Sequence, residues 1–416
     1  MGNNLFEKAP IPKAYFSFAL PVVFSMVISL VYNMADTYFI AATGNTNLVA
    51  GVSLGAPIFT LMIALGDIFG LGGSSVISRL FGKKMDEDGK RLSVFCFYGA
   101  IVCGIVVAVL MMLFRAPILT LLGAKADTVQ YASDYYTWLV IGAPFIILSF
   151  TPSNLLRTEG FSVASMTGTV LGSVINIILD PIFIFVLGMG AAGAAIATVI
   201  GNIGADLFFV FFLLTKSKRL SINPKGFFIS KRELGDIFAI GIPASVTNFM
   251  QSLGIALTNR FLLVYGTDKV ASMGIVMKIN MIAMLILVGF AFGSQPLIGY
   301  NYGAGNKKRL KAILAFSYSS HCTFKFITKC QNRNGSCSGT YFMCFCKAFD
   351  FDVYESGKHR KCRSSDAQTS ACRCSIYCGY TRKYLYVPVR RKSIKCFSFI
   401  CQQTGRYLCS CDFYFV

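Results

Sequence analysis

Long apolar runs alternate along the chain with short polar breaks. Runs of about twenty apolar residues suffice to cross the hydrocarbon core of a bilayer. They fall at roughly 15–41, 49–78, 93–114, 131–152, 164–187, 190–214, 236–264 and 271–300. Each predicts a membrane-spanning helix, eight in all before the pattern changes. The breaks sort by charge. Lys8 and Lys13 precede the first run, and Arg79, Lys83, Lys84, Lys90 and Arg91 follow the second. Lys216, Lys218, Arg219, Lys225, Lys231 and Arg232 follow the sixth, and Lys307, Lys308, Arg309 and Lys311 the eighth. The breaks at 44–47 and 188–190 carry no charge. Basic loops stay in the cytoplasm, so the N-terminus is expected there, in a multi-pass protein of the inner (cytoplasmic) membrane. The first run is too long for a cleavable signal peptide, and none is expected.

Composition agrees with this pattern. The chain is 55% hydrophobic and only 14% charged, outside the range of soluble globular domains. Its 38 glycines suit helices that approach closely in lipid. The net charge of +20 is explained in the loops by topology, so no nucleic-acid partner is expected. No nucleotide loop, metal-ligand motif or catalytic triad emerges from the first 316 residues, so neither an enzyme nor a cofactor is expected.

The chain also repeats itself. Residues 19–44 align without a gap on 241–266, placing Pro21 against Pro243 and Gly44 against Gly266 at an offset of 222. Further on, 74–82 aligns with 295–303. Six helices separate equivalent points, so both copies have the same orientation and an axis along the membrane normal relates them, as in transporters that rock two bundles about a cavity. A receptor or simple channel subunit has less need of this plan. The organisation expected is a six-helix lobe over 1–215, a basic linker over 216–235 and the start of a second lobe over 236–316.

Acids inside the apolar runs mark candidate chemistry. A carboxylate at mid-bilayer costs about 2.5–3.5 kcal/mol on insertion scales, so it is expected to face a wet cavity or a partner. Asp36 lies eight residues before Gly44, about 12 Å below that helix end. Asp180 follows Asn176 by four residues, so both project from one helix face. Such acids can instead simply hydrogen-bond a neighbouring helix, and Asp36 would be interfacial if its helix ended near Asn33. Asp36 aligns with Thr258, so the second copy lacks this acid. Tyr32, one turn before Asp36, can reach the same site or a cavity surface beside it. Asp67 is a candidate for the cavity lining near the cytoplasm, and so is Lys278, which is near enough to a loop to snorkel.

Pro21 with Asp36, Asn176 with Asp180, Thr198 eighteen residues later, the SRLFGKK segment, and Asn154, Leu155, Leu156, Arg157 and Gly160 together resemble the multidrug and toxic compound extrusion (MATE) family, over about residues 10–316. The resemblance implies an all-α, two-lobe bundle of parallel six-helix repeats, here with an incomplete second lobe. It also implies export of amphipathic or cationic drug-like molecules in exchange for Na⁺ or H⁺, by a monomer in the lipid bilayer. In some members an acid on helix one, Asn and Asp on helix five and Thr on helix six bind the coupling cation; Asp36, Asn176, Asp180 and Thr198 match them. Pro21 then marks a place for helix one to bend. A lipid-linked saccharide flippase of the same superfamily is the alternative.

From about Ser317 the pattern breaks. Thirteen of the fifteen cysteines and sixteen of the thirty-nine Lys plus Arg residues fall in 317–416. Read one nucleotide later, every Cys codon becomes Val or Ala and every Tyr codon becomes Ile, Met or Thr, so the segment turns apolar. A frameshift near codon 317 accounts for the change, and export by the chain as written is expected to be impaired. The other reading is a basic, Cys-rich module binding metal or nucleic acid on a non-transporting remnant. Paired CxxC knuckles are missing from it, only His321 and His359 are at hand, and no metal site is expected there.

Overall fold

The computed structural model describes residues 2–124, 126–224, 229–262, 267–317, 372–377 and 384–389, with side chains described over 5–124, 126–224, 229–247, 284–317 and at 250 and 254. Up to residue 317 the described backbone is helical. A short α1 (Gly2–Glu7) leads into α2 (Ile11–Ala42), then α3 (Thr46–Ser53), α4 (Ala56–Gly82) and α5 (Asp86–Leu113). Next come α6 (Arg115–Leu121), α7 (Val129–Ile141), α8 (Ala143–Thr158), α9 (Ser162–Pro181), a π-helical turn (Ile182–Val186) and α10 (Gly190–Thr215). α11 (Lys231–Leu262), α12 (Thr267–Gly303) and a further helix, α13, over 307–317 complete the helical part.

Over their described residues all eight apolar runs are mainly helical. Among the described residues six helices are long and apolar enough to cross a membrane, and seven if α7 and α8, bent by 51° across a one-residue break, count as one span. The bend falls at Gly142, followed by Pro144 in the first turn of α8, where a missing N–H costs nothing. α2 closes on Gly44, whose φ of +70° favours glycine, and the Asn45 side chain then caps α3 by accepting from the Asn47 and Leu48 amides.

The two copies of the repeat pack reciprocally. α4 lies against α11, and the equivalent α12 lies against α2. Near the basic ends of α4 and α12 the helices cross on a glycine pair. A Cβ on Gly82 would strike the Tyr300 carbonyl, and one on the equivalent Gly303 would strike the Arg79 carbonyl. Residues 79 and 300 are themselves repeat partners, so the contact maps onto itself when the copies are exchanged. This is the internal two-fold that the sequence repeat predicts. Side chains reinforce it: Gln295 Nε2 donates to the Leu71 carbonyl at 3.2 Å, and Ser245 Oγ to the Ala64 carbonyl.

The basic linker is anchored rather than free over 217–222. Glu159 at the end of α8 accepts from the Lys218 and Arg219 amides at 2.9 and 3.2 Å, and Arg219 stacks on Phe81 and pairs with Asp86. Ser93 and Tyr98 of α5 donate to the Ser221 and Ile222 carbonyls. At the start of α11, Glu233 pairs with Arg91 at 3.1 Å.

The chain divides into two units, 1–351 and 352–416. In the second, β1 (Cys372–Tyr377) and β2 (Tyr384–Val389) pair antiparallel with Cys372 opposite Val389, a feature that the all-α expectation did not include.

Candidate functional site

The site is built where α9 and α10 approach most closely. A Cβ on Gly172 would lie 2.7 Å from the Gly201 carbonyl oxygen, and one on Gly201 2.7 Å from the Gly172 oxygen. Only glycine at both positions lets the backbones touch, which is how small residues drive association in lipid. One turn from this crossing, Asn176 of α9 therefore meets Thr198 of α10.

Asn176, Asp180 and Thr198 are 2%, 0% and 4% exposed. In one amide orientation Asn176 donates to Asp180 Oδ1 at 3.4 Å and to Thr198 Oγ1 at 3.3 Å. The opposite orientation tightens both links: the amide donates to Asp180 Oδ2 at 3.0 Å and its oxygen accepts from the Thr198 N–H at 3.0 Å. Either way Asn176 joins the acid to Thr198. Asp180 is followed by Pro181, which has no N–H for the Ile177 carbonyl, and the helix widens into the π-helical turn with Leu187 N–H reaching the Ile182 carbonyl at 2.9 Å. Such π insertions occur frequently at functional sites.

α2 brings the second acid. The charge of Asp36 acts on Asp180, and Asp36, Asp180 and Thr198 all lie close enough to act on Tyr32. Asp36 Oδ1 is buried without a hydrogen-bond partner among the described residues. The structure thus gathers five of the sequence candidates, Tyr32, Asp36, Asn176, Asp180 and Thr198, from three helices. Tyr135 of α7, 7% exposed, feels the charges of Asp36, Tyr32 and Asp180 and completes the wall. Sequence reasoning missed it because a tyrosine in a helix beside Tyr136 carries no pattern of its own.

Along α2 the polar side chains stack every fourth residue. Ser29, Asn33 and Thr37 each donate to the carbonyl one turn back, at 2.9, 2.6 and 2.8 Å. Asn33 and Thr37 are exposed beside the apolar Val31, Met34 and Tyr38, an amphipathic face suited to a wet cavity rather than to lipid alone. Back-bonding of this kind satisfies the side chains while loosening the helix. Pro21, lower on α2 and buried, lacks the N–H for the Ser17 carbonyl, yet the helix runs unbroken through it.

Asp67 is 6% exposed on α4, and its charge acts on Arg157 of α8. Arg157 also donates to the Asn154 side chain and to the Ser153 carbonyl. The pair ties α4 to α8. The Lys278 side chain, the other cavity candidate, lies outside the described residues. One more acid is buried in α10. Asp206, 5% exposed, meets the same test as Asp36, an acid in an apolar run, and sequence reading passed over it. Among the described residues no three His, Cys, Asp or Glu side chains cluster as a metal site.

The sequence profile of the MatE family matches residues 21–182 and again 243–321. The chain belongs to the MatE family. The two matches begin at Pro21 and Pro243, the repeat partners, and the second ends within five residues of the change at Ser317. The multidrug export protein MepA of Staphylococcus aureus (strain NCTC 8325 / PS 47) is 36% identical over 309 residues, covering 74% of this chain and 68% of MepA. A MATE crystal structure in a straight conformation superposes with a TM-score of 0.74 at 27% identity, covering 79% of this chain and 73% of the other. A MATE structure in a bent conformation gives 0.73 at 28%, with the same coverage. The protein is therefore a multi-pass membrane transporter of the MatE family, a family of carriers rather than of enzymes.

Proposed function

We propose that this chain derives from an exporter of amphipathic or cationic drug-like molecules, driven by Na⁺ or H⁺ moving the other way through the N-terminal lobe. The observation that carries the reading is the approach of half-buried Asp36 and Tyr32 to the buried Asn176, Asp180 and Thr198. Carboxylate, amide and hydroxyl oxygens are hard donors that suit a small cation. Two acids close enough to feel each other can equally share a proton. The same two carboxylates offer a cationic drug its counter-charge, so drug and ion compete.

The competition needs a moving part, and α2 supplies it. Cation or proton binding at Asp36 relieves the cost of its buried, unpaired oxygen and lets the helix pack more closely on α9. Pro21 and the stacked polar side chains above it leave α2 open to bending there. The straight and bent forms of the related MATE structures accord with such a device. The saccharide flippase of the same superfamily gains no comparable support, since nothing in it calls for paired acids at this depth.

The reading is of transport without a cofactor, by a monomer in the cytoplasmic membrane with its N-terminus in the cytoplasm. The chain as written is impaired, because the family match stops near residue 321 and the Cys-rich remainder of the sequence holds no apolar run of spanning length. The test is efflux of a fluorescent cationic dye against an imposed Na⁺ or H⁺ gradient, with the frame restored after codon 317. Gradient-dependent efflux that Asp36→Asn abolishes supports the reading. Gradient-dependent efflux that survives both Asp36→Asn and Asp180→Asn overturns it.

A further inference from the structure

Asp206 is the acid for which the coupling site has no use. It is 5% exposed, and neither carboxylate oxygen has a hydrogen-bond partner among the described residues. A buried polar group without a partner calls for an explanation, and an ionised carboxylate in that state is strongly disfavoured. Its position supplies one. Asp206 lies four residues beyond Asn202 and eight beyond Thr198, so the three share one face of α10 at intervals of about 6 Å.

Asn202 already connects with the site. Its amide donates to the Thr198 carbonyl at 2.8 Å and its oxygen accepts from Ser149 of α8 at 3.0 Å. The column Thr198, Asn202, Asp206 thus leads from the cation group toward the end of α10 that carries the basic linker. Titratable groups on the helices packed around α10 are Lys13, Tyr15, Tyr32, Asp36 and Tyr38 on α2, Tyr131, Asp134, Tyr135 and Tyr136 on α7, Arg157 on α8 and Asp180 on α9. Asp206 hydrogen-bonds to none of them, and Arg157 is engaged by Asn154, Ser153 and Asp67.

We propose that Asp206 is a second proton-binding site of this protein, on the linker side of the Asp180 group and on the same face of α10. A proton needs one oxygen: an O–H bond forms, the carboxylate becomes a neutral carboxyl, and nothing else changes. A sodium ion needs several converging oxygens, and among the described residues Asp206 belongs to no cluster of three His, Cys, Asp or Glu side chains. The inference deepens the coupling reading by adding a place where a proton waits between the linker end and the cation group. Its test does not require export, so the two can fail separately.

The test is infrared spectroscopy of the full chain in lipid, following the carbonyl stretch of protonated carboxyl groups across a pH titration in water and deuterium oxide. A protonated-carboxyl band is expected at neutral pH, absent in Asp206→Asn and displaced in Asp206→Glu. It is expected to persist in the double variant Asp36→Asn, Asp180→Asn. Asparagine copies the shape of the neutral acid, so Asp206→Asn should fold and keep the thermal midpoint of the parent. Should it not fold, the glutamate variant decides alone. A neutral-pH spectrum without a protonated carboxyl, or one unchanged by substitution at 206, overturns the proposal.

Discussion

Two copies of one helix frame stand side by side in this chain, and they differ where the chemistry is. α2 and α11 share their proline and their closing glycine at an offset of 222, yet α2 carries Asp36 where α11 carries Thr258. The scaffold obeys the two-fold closely, down to Gly82 and Gly303 each blocking the other copy's backbone carbonyl. The coupling candidates that fall within the aligned copies depart from it: Tyr32 and Asp36 meet Gly254 and Thr258. Duplication thus supplies a matched crossing, while the acid on the first copy's opening helix has no counterpart in the second. A carrier built this way can tune coupling on one side without disturbing its pivot.

The largest effect should come from erasing that difference. Asp36→Thr copies the residue of the second repeat into the first, and Asp36→Asn removes only the charge. Either is expected to lower gradient-driven dye efflux of the frame-restored protein at least tenfold, with the amount in the membrane unchanged. Next in size is the α9–α10 crossing. Gly201→Val puts a branched side chain against the Gly172 carbonyl and Asn176, forcing the helices apart and parting Asn176 from Thr198. Overpacking of this kind costs about 1–3 kcal/mol, to be read as a lowered thermal midpoint together with weakened cation binding.

How much of this could be read beforehand depends on whether a residue carries a pattern. The apolar runs, the repeat and the Asn176–Asp180 spacing are periodic signals, and the helices and their pairing follow from them. That Asn176 meets Thr198 across two helices is a tertiary fact set by Gly172 and Gly201, which look like any of the chain's 38 glycines. Tyr135 joins the site through the bend at Gly142 that aims α7 separately from α8, and no local spacing announces such a bend. Asp206 was legible by the criterion applied to Asp36, and its spacing from Asn202 repeats that of Asp180 from Asn176, yet it was passed over.

The pivot itself offers a sharper, smaller test. Gly82→Val and Gly303→Val strike equivalent carbonyls, so each should destabilise by about the same 1–3 kcal/mol. Unequal losses in thermal midpoint would show that the two-fold is geometric but not energetic. The smallest effect is expected at the linker. Burial alone would raise the Glu233 carboxyl, but hydrogen bonds from Ser230 and the charge of Arg91 outweigh it and hold it below the usual carboxylate range. The stability it adds is present above the unfolded value of about 4.3 and is lost as pH falls through the lower folded value. Glu233→Gln should therefore cost about 0.2–1 kcal/mol at neutral pH, as for other part-exposed pairs, and nothing in strong acid, as checked by thermal midpoints across that range.

The central claim is that one lobe couples and the other does not, and one measurement reaches it directly. Dye efflux by the frame-restored protein would be driven by an imposed ion gradient, comparing the parent with Asp36→Asn and Asp180→Asn. The account predicts that efflux follows the gradient in the parent and loses that dependence in both variants. Efflux that tracks the gradient equally in all three would contradict it and place coupling outside the N-terminal lobe.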